Sequence, residues 1–316
     1  MSAGLLERLG VAAPVVQAGM GGGLARHELA AAVSDAGGLG TIGFLGARAL
    51  AGELAAARRL TGRPVAVNVL APFATRDHWR VAAEADVAVT HWGTPRRRVP
   101  GVWVHQCGSV AEARAAHRAG ADAVIAQGVE AGGHTRAQLR ALDLLERIRA
   151  ALPPDVPVLL AGGIAERGDV EEALRAGAVA AVLGTRFLMT PESRAHPAYK
   201  ERLVAGRETV LTTLFGFGWP APHRVLRNAA TERWLRGGPR GPLPVRALNA
   251  AGGALARLPL RPATPPASRG FLLSPLAPVE ESPAGLVDAG PLYAGETVAR
   301  IAGITPAAAL VGELAG

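Results

Sequence analysis

Eight short apolar runs, rich in Val and Ile, recur through the first 190 residues with Ala-rich segments between them. They are PVVQ (14–17), LGTIG (39–43), PVAVNV (64–69), ADVAVT (85–90), VWVHQ (102–106), AVIAQG (123–128), VPVLLAGG (156–163) and VAAVLGT (179–185). Runs of this length, without strict alternation, suit strands buried on both faces, as in a parallel sheet. The segments between them have helical character. They are ELAAAVSDAGG (28–38), ARALAGELAAARRL (47–60), SVAEARAAHRAG (109–120), RAQLRALDLLERIRAAL (136–152) and DVEEALRAG (169–177). The first ends in glycines, a usual helix stop. The third opens on Ser109 with Glu112 three residues later, a capping-box signature.

Eight strand–helix alternations predict an α/β fold, a (β/α)8 TIM barrel, over an open doubly wound sheet. The fourth strand is followed by too little chain for a full helix, so that unit is degenerate. SRAHPAYKERLVAG (193–206) reads as a helix that closes the barrel. The barrel is expected over 1–230. Residues 231–316 are expected to form an irregular C-terminal extension, a lid or arm with short helices in GETVARI and PAAALVGEL. Residues 236–292 are rich in Pro, Gly, Ala and Arg and read as irregular.

Composition excludes several classes. No run of 18 apolar residues suits a membrane span, and Glu7 and Arg8 interrupt the N-terminal apolar stretch, unlike a signal peptide. One cysteine, Cys107, rules out an internal disulfide, so a cytoplasmic location is expected. The net charge of +8 invites a nucleic-acid reading. Against it, aromatics are only 4%, Lys200 is the one lysine, and TPRRRVP (94–100) is the one tight basic cluster. Neither nucleic acid nor a membrane is expected as a partner.

In a TIM barrel, functional residues lie at the C-terminal ends of the strands. The unusual residues of this chain fall there: Gln17, Ala18, Gly19 and Met20 after the first strand, Asn68 in the third, and His91 after the fourth. Gln106 and Cys107 end the fifth, Gln127 ends the sixth with His134 beyond it, and Gly162–Gly163 and Gly184–Thr185 follow the last two. AGGI (161–164) and LGTRF (183–187) offer unobstructed backbone N–H groups, which favours a phosphate over plain tight turns. GMGGG (19–23) fails the dinucleotide fingerprint because Leu24 takes the third glycine position. It reads as a loop lying flat against a planar ring, or as a flexible turn.

His134 stands in AQGVEAGGHT (126–135), outside any apolar periodicity. No residue at metal-ligand spacing accompanies it, so no metal is expected. A neutral imidazole in a dry pocket is a competent general base. His91 reads either as a pocket wall or as part of a surface loop. Cys107 reads as an inert buried thiol rather than a nucleophile.

The strings QAGMGGG, AVNV, AQGVEAGGHT, LLAGGI and LGTRF…HPAYK together resemble the nitronate monooxygenase family, formerly called 2-nitropropane dioxygenases, in order from about residue 14 to 230. AGETVARI near the C-terminus is similar to it as well. The resemblance implies an FMN-dependent oxidoreductase that oxidises alkyl nitronates with O2 to carbonyl compounds and nitrite. It implies that Gln17, Ala18, Gly19 and Met20 pass along the flavin ring and that Asn68 and Gln127 hydrogen-bond it. Gly162, Gly163, Gly184 and Thr185 would hold the phosphate. Gly132 and Gly133 would let their loop close over the flavin, with the catalytic His134 facing the substrate. Self-association into a homo-oligomer is compatible with this reading. QAGMGGG lacks a proline found near the methionine in many members, and THWGTP and the long C-terminal region are distinctive. An NAD(P)H-dependent reductase of quinones or enoyl thioesters on the same scaffold, or a flavin-binding protein without turnover, stand as alternatives.

Overall fold

Each of the eight apolar runs forms a strand of one parallel sheet, three of them extending one residue past the run. They are β1 (Val15–Gln17), β2 (Gly40–Ile42), β3 (Val65–Leu70), β4 (Val87–His91), β5 (Val102–Cys107), β6 (Ala123–Gln127), β8 (Val158–Ala161) and β9 (Ala181–Leu183). The intervening β7 (Gly133–His134) belongs to a second sheet. The computed structural model describes residues 4–93, 99–255 and 273–316. Most of the TPRRRVP cluster (94–98) and residues 256–272 of the Pro- and Arg-rich stretch lie outside the described residues.

By its internal contacts the chain divides into two units. The first is Met1–Glu130, Arg136–Arg194 and Gly303–Gly316, and the second is Ala131–Thr135 and Ala195–Ala302.

The first unit is the TIM barrel. Neighbouring strands pair in parallel in the order β1-β9-β8-β6-β5-β4-β3-β2. A parallel bridge between Val16 and Leu39 closes the ring. Leu39 N–H donates to the Val15 carbonyl (3.0 Å) and Gln17 N–H donates to the Leu39 carbonyl (2.9 Å). Because strand side chains alternate, the barrel has two separate cores. Val16, Leu39, Ala66, Val87, Val89, Val104, Ala123, Ile125, Leu159, Ala161 and Val182 fill the interior. Val15, Ile42, Val65, Val67, Trp103, Val124, Leu160 and Leu183 pack outward on the helices. The helix Leu5–Leu9 brings Leu5 into the interior cluster beside Val87 and Ala123, the first residues of β4 and β6, and so plugs the N-terminal end.

The outer helices follow the expected segments at His27–Asp35, Ala47–Leu60, Val110–Arg118, Ala141–Ala151 and Arg167–Arg175. Ser109 caps the third by accepting from Glu112 N–H, while the Glu112 carboxylate takes the N–H of Gly108 (2.8 Å). Arg76–Glu84 is a helix that the Ala-rich criterion missed; it is held by a capping box between Thr75 and His78. Between β4 and β5 no helix occurs among the described residues, as the short connection predicts.

The helix within 193–206 forms as Pro197–Ala205, but it belongs to the second unit and does not complete the barrel. Ala307–Ala315 does so instead. Ala307, Leu310, Val311 and Leu314 join the outer core, and the helix packs against β1 and the helices His27–Asp35 and Arg167–Arg175.

The second unit holds a three-stranded antiparallel sheet in the order β10-β11-β7, with β10 at Thr209–Thr212 and β11 at His223–Leu226. Its small core contains Leu214, Phe215, Val225, Val245 and Leu273. The region read as irregular contains a helix at Leu243–Leu255. Glycines and a proline weaken its intrinsic propensity, and tertiary contacts override that. Val245 is in the core, and Asn249 Nδ2 donates to the carbonyls of Thr213 and Leu214 at 3.0 Å each.

The position of Ala307–Ala315 makes a direct prediction. Leu310→Ala should cost about 2–5 kcal/mol of stability, as buried leucine truncations do. Ile304→Ala, at a residue 46% exposed, should cost about 0.5 kcal/mol or less. Urea unfolding of the full chain would check both, and equal losses would contradict this placement of the helix.

Candidate active site

At the C-terminal end of the barrel the interior changes from apolar to polar. Asn68, His91, Gln106 and Gln127 sit two residues beyond Ala66, Val89, Val104 and Ile125, so they continue the same inward faces. They lie on four adjacent strands, β3 to β6, and His91 stands opposite Gln106 in register. Asn68 Nδ2 donates to the Val89 carbonyl (3.3 Å). His91 Nε2 lies 3.5 Å from Gln106 Nε2.

The loop after β1 lies across this layer. A side chain on Gly19 would meet the Asn68 Cβ at 2.4 Å and the Thr41 Cγ2 at 3.2 Å, so the close approach requires glycine. Thr41 Oγ1 is buried with no hydrogen-bond partner among the described residues. Gln17 points the other way. It is fully buried, and its Oε1 accepts from Thr41 N–H (2.9 Å), joining β1 to β2. Met20 is half-buried against the outer core, and its carbonyl accepts from Ala25 N–H (3.1 Å).

Glycines occupy the opposite side of the mouth. Gly162 and Gly163 follow β8 with φ of +108° and +75°. Gly184 follows β9 at the head of the short helix Thr185–Leu188, where a side chain would touch only Ala18 Cβ, at 3.8 Å. Glu130 is buried beside Gly163, and its Oε1 accepts from Ala141 N–H (2.9 Å), the first residue of the helix Ala141–Ala151. That helix terminus offsets the carboxylate's charge.

His91 is therefore a wall residue, not part of a surface loop. Burial pushes its pKa down to about 3, and the neighbouring His105 and Arg136 reinforce the shift. Behind it, Thr90 Oγ1 bridges Trp103 Nε1 and His105 Nδ1, each at 2.7 Å. Burial holds His105 near 4, opposed by a hydrogen bond to the Gly93 backbone. Trp92 adopts φ +71°, a left-handed conformation rare for a bulky residue, and the Arg136 guanidinium sits 5.3 Å over its ring. Arg136 pairs with the buried Glu112. Cys107 is buried, and burial, with Glu112 nearby, pushes its thiol up, so it stays protonated and inert.

Gly132, Gly133 and His134 belong to the second unit. His134 pairs with His223 across β7 and β11. Its imidazole stacks on Trp219 at 3.8 Å and 15°, with His223 at 5.0 Å and Tyr293 at 5.5 Å. Gly132 admits the backbone of Ala294 and Gly295, since a side chain there would lie 2.6 Å from Gly295 N. The glycines of EAGGH and the start of AGETVARI thus meet in this unit. His223 is fixed: Nδ1 lies 2.9 Å from the Ala221 carbonyl and Nε2 accepts from Phe215 N–H at 3.3 Å. Burial lowers its pKa to about 4.

The first unit thus gathers Gln17, Ala18, Gly19, Met20, Asn68, Gln127, Gly162, Gly163, Gly184 and Thr185 at one end of the barrel. His91, Gln106, Glu130, Trp219, His223 and Tyr293 carry as much of the local structure but had no assigned role. Strand position was enough to find the first two. Nothing in sequence spacing marks Trp219 or Tyr293. His27, Glu28 and Glu53 also gather ligand atoms within 4.8 Å of one another, but Arg26 on Glu53 and Arg194 on Glu28 already neutralise those carboxylates.

The nitronate monooxygenase family profile matches residues 3–99 and 85–316. The chain belongs to the nitronate monooxygenase family. It is a flavin-dependent oxidoreductase on a TIM barrel. A nitronate monooxygenase of Pseudomonas aeruginosa is 32% identical, over 70% of this chain and 80% of the relative. A (3aS,4S,5R,7aS)-5-hydroxy-7a-methyl-1-oxo-octahydro-1H-indene-4-carboxyl-CoA dehydrogenase of Mycobacterium tuberculosis is 36% identical, over 72% of this chain and 67% of the relative. Among solved structures, a nitroalkane oxidase from Streptomyces ansochromogenes superposes with a TM-score of 0.76 at 32% identity, covering 97% of this chain and 95% of its own. FabK from Thermotoga maritima superposes at 0.75 and 28% identity, covering 97% and 92%. No helix among the described residues is long and apolar enough to cross a membrane.

Three buried neutral histidines make stability depend on acid. His91, His105 and His223 have pKa values of about 3, 4 and 4, against a usual 6.5. Below pH 6.5 the unfolded chain binds protons on these rings that the folded chain refuses. Their contribution is intact at neutral pH and is lost as pH falls, by about 1.4 kcal/mol per pH unit for each ring. Denaturant unfolding between pH 7.5 and 4.5 should show this slope, and His105→Asn should remove about one proton from it. An unchanged slope in that variant would contradict the neutral assignment of His105.

Proposed function

We propose that this chain binds FMN and oxidises alkyl nitronates, and the nitroalkanes that give rise to them, with O2 to carbonyl compounds and nitrite. The barrel mouth carries the reading. One side offers backbone N–H groups at glycines, suited to a single phosphate, and the other offers neutral hydrogen-bonding side chains suited to a flat heteroaromatic ring. The buried Thr41 hydroxyl without a partner fits a ligand there too. A single phosphate site and a failed dinucleotide fingerprint favour FMN over FAD. Flavin released by acid and run on a column tests this, and FAD would overturn it.

Bound at this mouth, a flavin would supply the redox chemistry between the substrate and dioxygen. The protein's residues do the rest. Ala18, Gly19 and Met20 supply backbone along the ring, and Gln17 holds β1 against β2 beneath them. Asn68 and Gln127 hydrogen-bond the ring, and Gly162, Gly163, Gly184 and Thr185 take the phosphate. Gly132 and Gly133 shape the loop that carries His134. His134 removes the α-proton of a neutral nitroalkane. Trp219 stacks on one face of its imidazole and fixes the plane in which the ring nitrogens exchange a proton.

The Mycobacterium tuberculosis relative, at 36% identity, favours a second reading in which the substrate is a CoA thioester. A thioester also acidifies its α-carbon, so the same base serves. Anaerobic mixing separates the cases: bleaching of the flavin by a nitronate supports the first, and bleaching only by NADH, NADPH or an acyl thioester supports the second.

Gly184 gives the cleaner test of the phosphate. Gly163→Asp is confounded, because φ is +75° and the new side chain would lie 3.3 Å from Glu130 Cγ. Gly184→Ala has open space and should retain flavin. Gly184→Asp adds a like charge and should lose most of it, measured as flavin per chain after purification. Full occupancy in the Asp variant would place the phosphate elsewhere.

His134→Asn should slow a neutral nitroalkane by about 10²–10⁴ and the matching nitronate far less, because only the first has a proton to give. Flavin content and melting temperature should hardly move. Equal losses on both substrates would remove the base assignment.

A further inference from the structure

His91 and Gln106 have no part in the reading above, yet they occupy the centre of the polar arc, between Asn68 on β3 and Gln127 on β6. We infer that they are the groups that read a neutral imide edge, an N–H between two carbonyls, on the ligand's ring. On the FMN reading, on which this inference rests, that edge is the pyrimidine side of the flavin.

The geometry supplies the first reason. Neighbouring strands lie about 4.8 Å apart, so His91 and Gln106 together present an edge about one six-membered ring wide, the width of an imide. His91 and Gln106 lie midway, facing each other in register. Beneath them are Val89, Val104 and Ile125, which offer no hydrogen bond.

Their chemistry supplies the second. A primary amide has two donors and an acceptor oxygen, and a neutral imidazole has one of each. Apart from their mutual 3.5 Å contact, neither side chain makes a hydrogen bond among the described residues. An imide presents acceptor, donor, acceptor in a row, which this pair can complement. A nitronate or phosphate is held by a cation or by clustered N–H donors, and this pair offers neither. The nearest guanidinium, Arg136, is committed to Glu112 and the Trp92 ring. His105, the other titratable neighbour, faces the outer core through Thr90. Its burial keeps it neutral as well.

The probe is FMN methylated at N3, which loses the imide N–H and keeps the phosphate and the ring. Stripped of flavin and retitrated by fluorescence quenching, the full-length wild-type chain should bind FMN roughly tenfold or more tighter than the methylated form. Gln106→Leu and His91→Leu should each weaken FMN roughly threefold to tenfold and leave the methylated form nearly unchanged. The discrimination should therefore collapse in the variants. Gln106→Met, of similar shape, serves if the Leu variant melts early. A wild type that binds both forms equally overturns the inference without any variant. Discrimination that survives in the variants overturns it too, assigning the imide to other residues while FMN binding stands. A chain that binds no flavin sinks the FMN reading and this inference together.

Discussion

The structure rests on the closure of one ring of short strands. Between β1 and β2 that closure is a single bridge, Val16 to Leu39, reinforced by the Gln17 side chain on the Thr41 backbone. A closed parallel barrel has no free edge, and its alternation divides every strand into an inward and an outward set. With strands of three to six residues, each inward face has room for one or two apolar layers and then a final layer at the mouth. What stands in that layer is therefore a consequence of closure and register. The polar arc on β3 to β6 and the glycines after β8 and β9 occupy it because their strands end there.

The eight strands were legible because burial on both faces leaves a mark in sequence, a short run of Val, Ile, Leu and Ala. The C-terminal helix was not assigned to the barrel, because hydrophobic periodicity identifies a helix but not its partner. Ala307–Ala315 completes the first unit after an excursion of more than one hundred residues, a connection that no local pattern announces. The helix Leu243–Leu255 was hidden for another reason. Its glycines and proline argue against helix, and only its contacts with Leu214 and Phe215 decide the matter. In the site, residues at strand ends are readable from position alone, whereas the pairing of His91 with Gln106 depends on the register of β4 and β5, which spacing does not give. Gln17 illustrates the limit: its place at a strand end looked like that of Asn68, but parity turns its side chain away from the interior and into a bond with β2.

Charge at the barrel mouth is managed by neutralisation. His91 and His105 are held neutral by burial, and the Arg136 guanidinium is taken up by Glu112 and Trp92. A chain with a formal charge of +8 thus keeps the inner lining of this end almost uncharged. Surface arginines set the net charge, and the interior sets what can be recognised, so net charge says little about the ligand.

The same accounting explains how the loop bearing His134 begins and ends. The chain leaves the first unit at Glu130 and returns at Arg136. Glu130 is fixed by the first N–H of the helix Ala141–Ala151, and Arg136 by Glu112, which also takes the N–H of Gly108. Two buried carboxylates therefore pin both stems of a five-residue excursion to the barrel. Glu112 is engaged on both oxygens, by Gly108 N–H and Arg136, while Glu130 is held through Oε1 alone and its Oε2 is buried without a hydrogen-bond partner among the described residues. The glycines of EAGGH lie between these anchors, where the chain must turn, and the acidic residue that opens the string is part of the anchor. The motif is thus partly structural: its first residue fixes the point of departure, and its last presents an imidazole backed by Trp219.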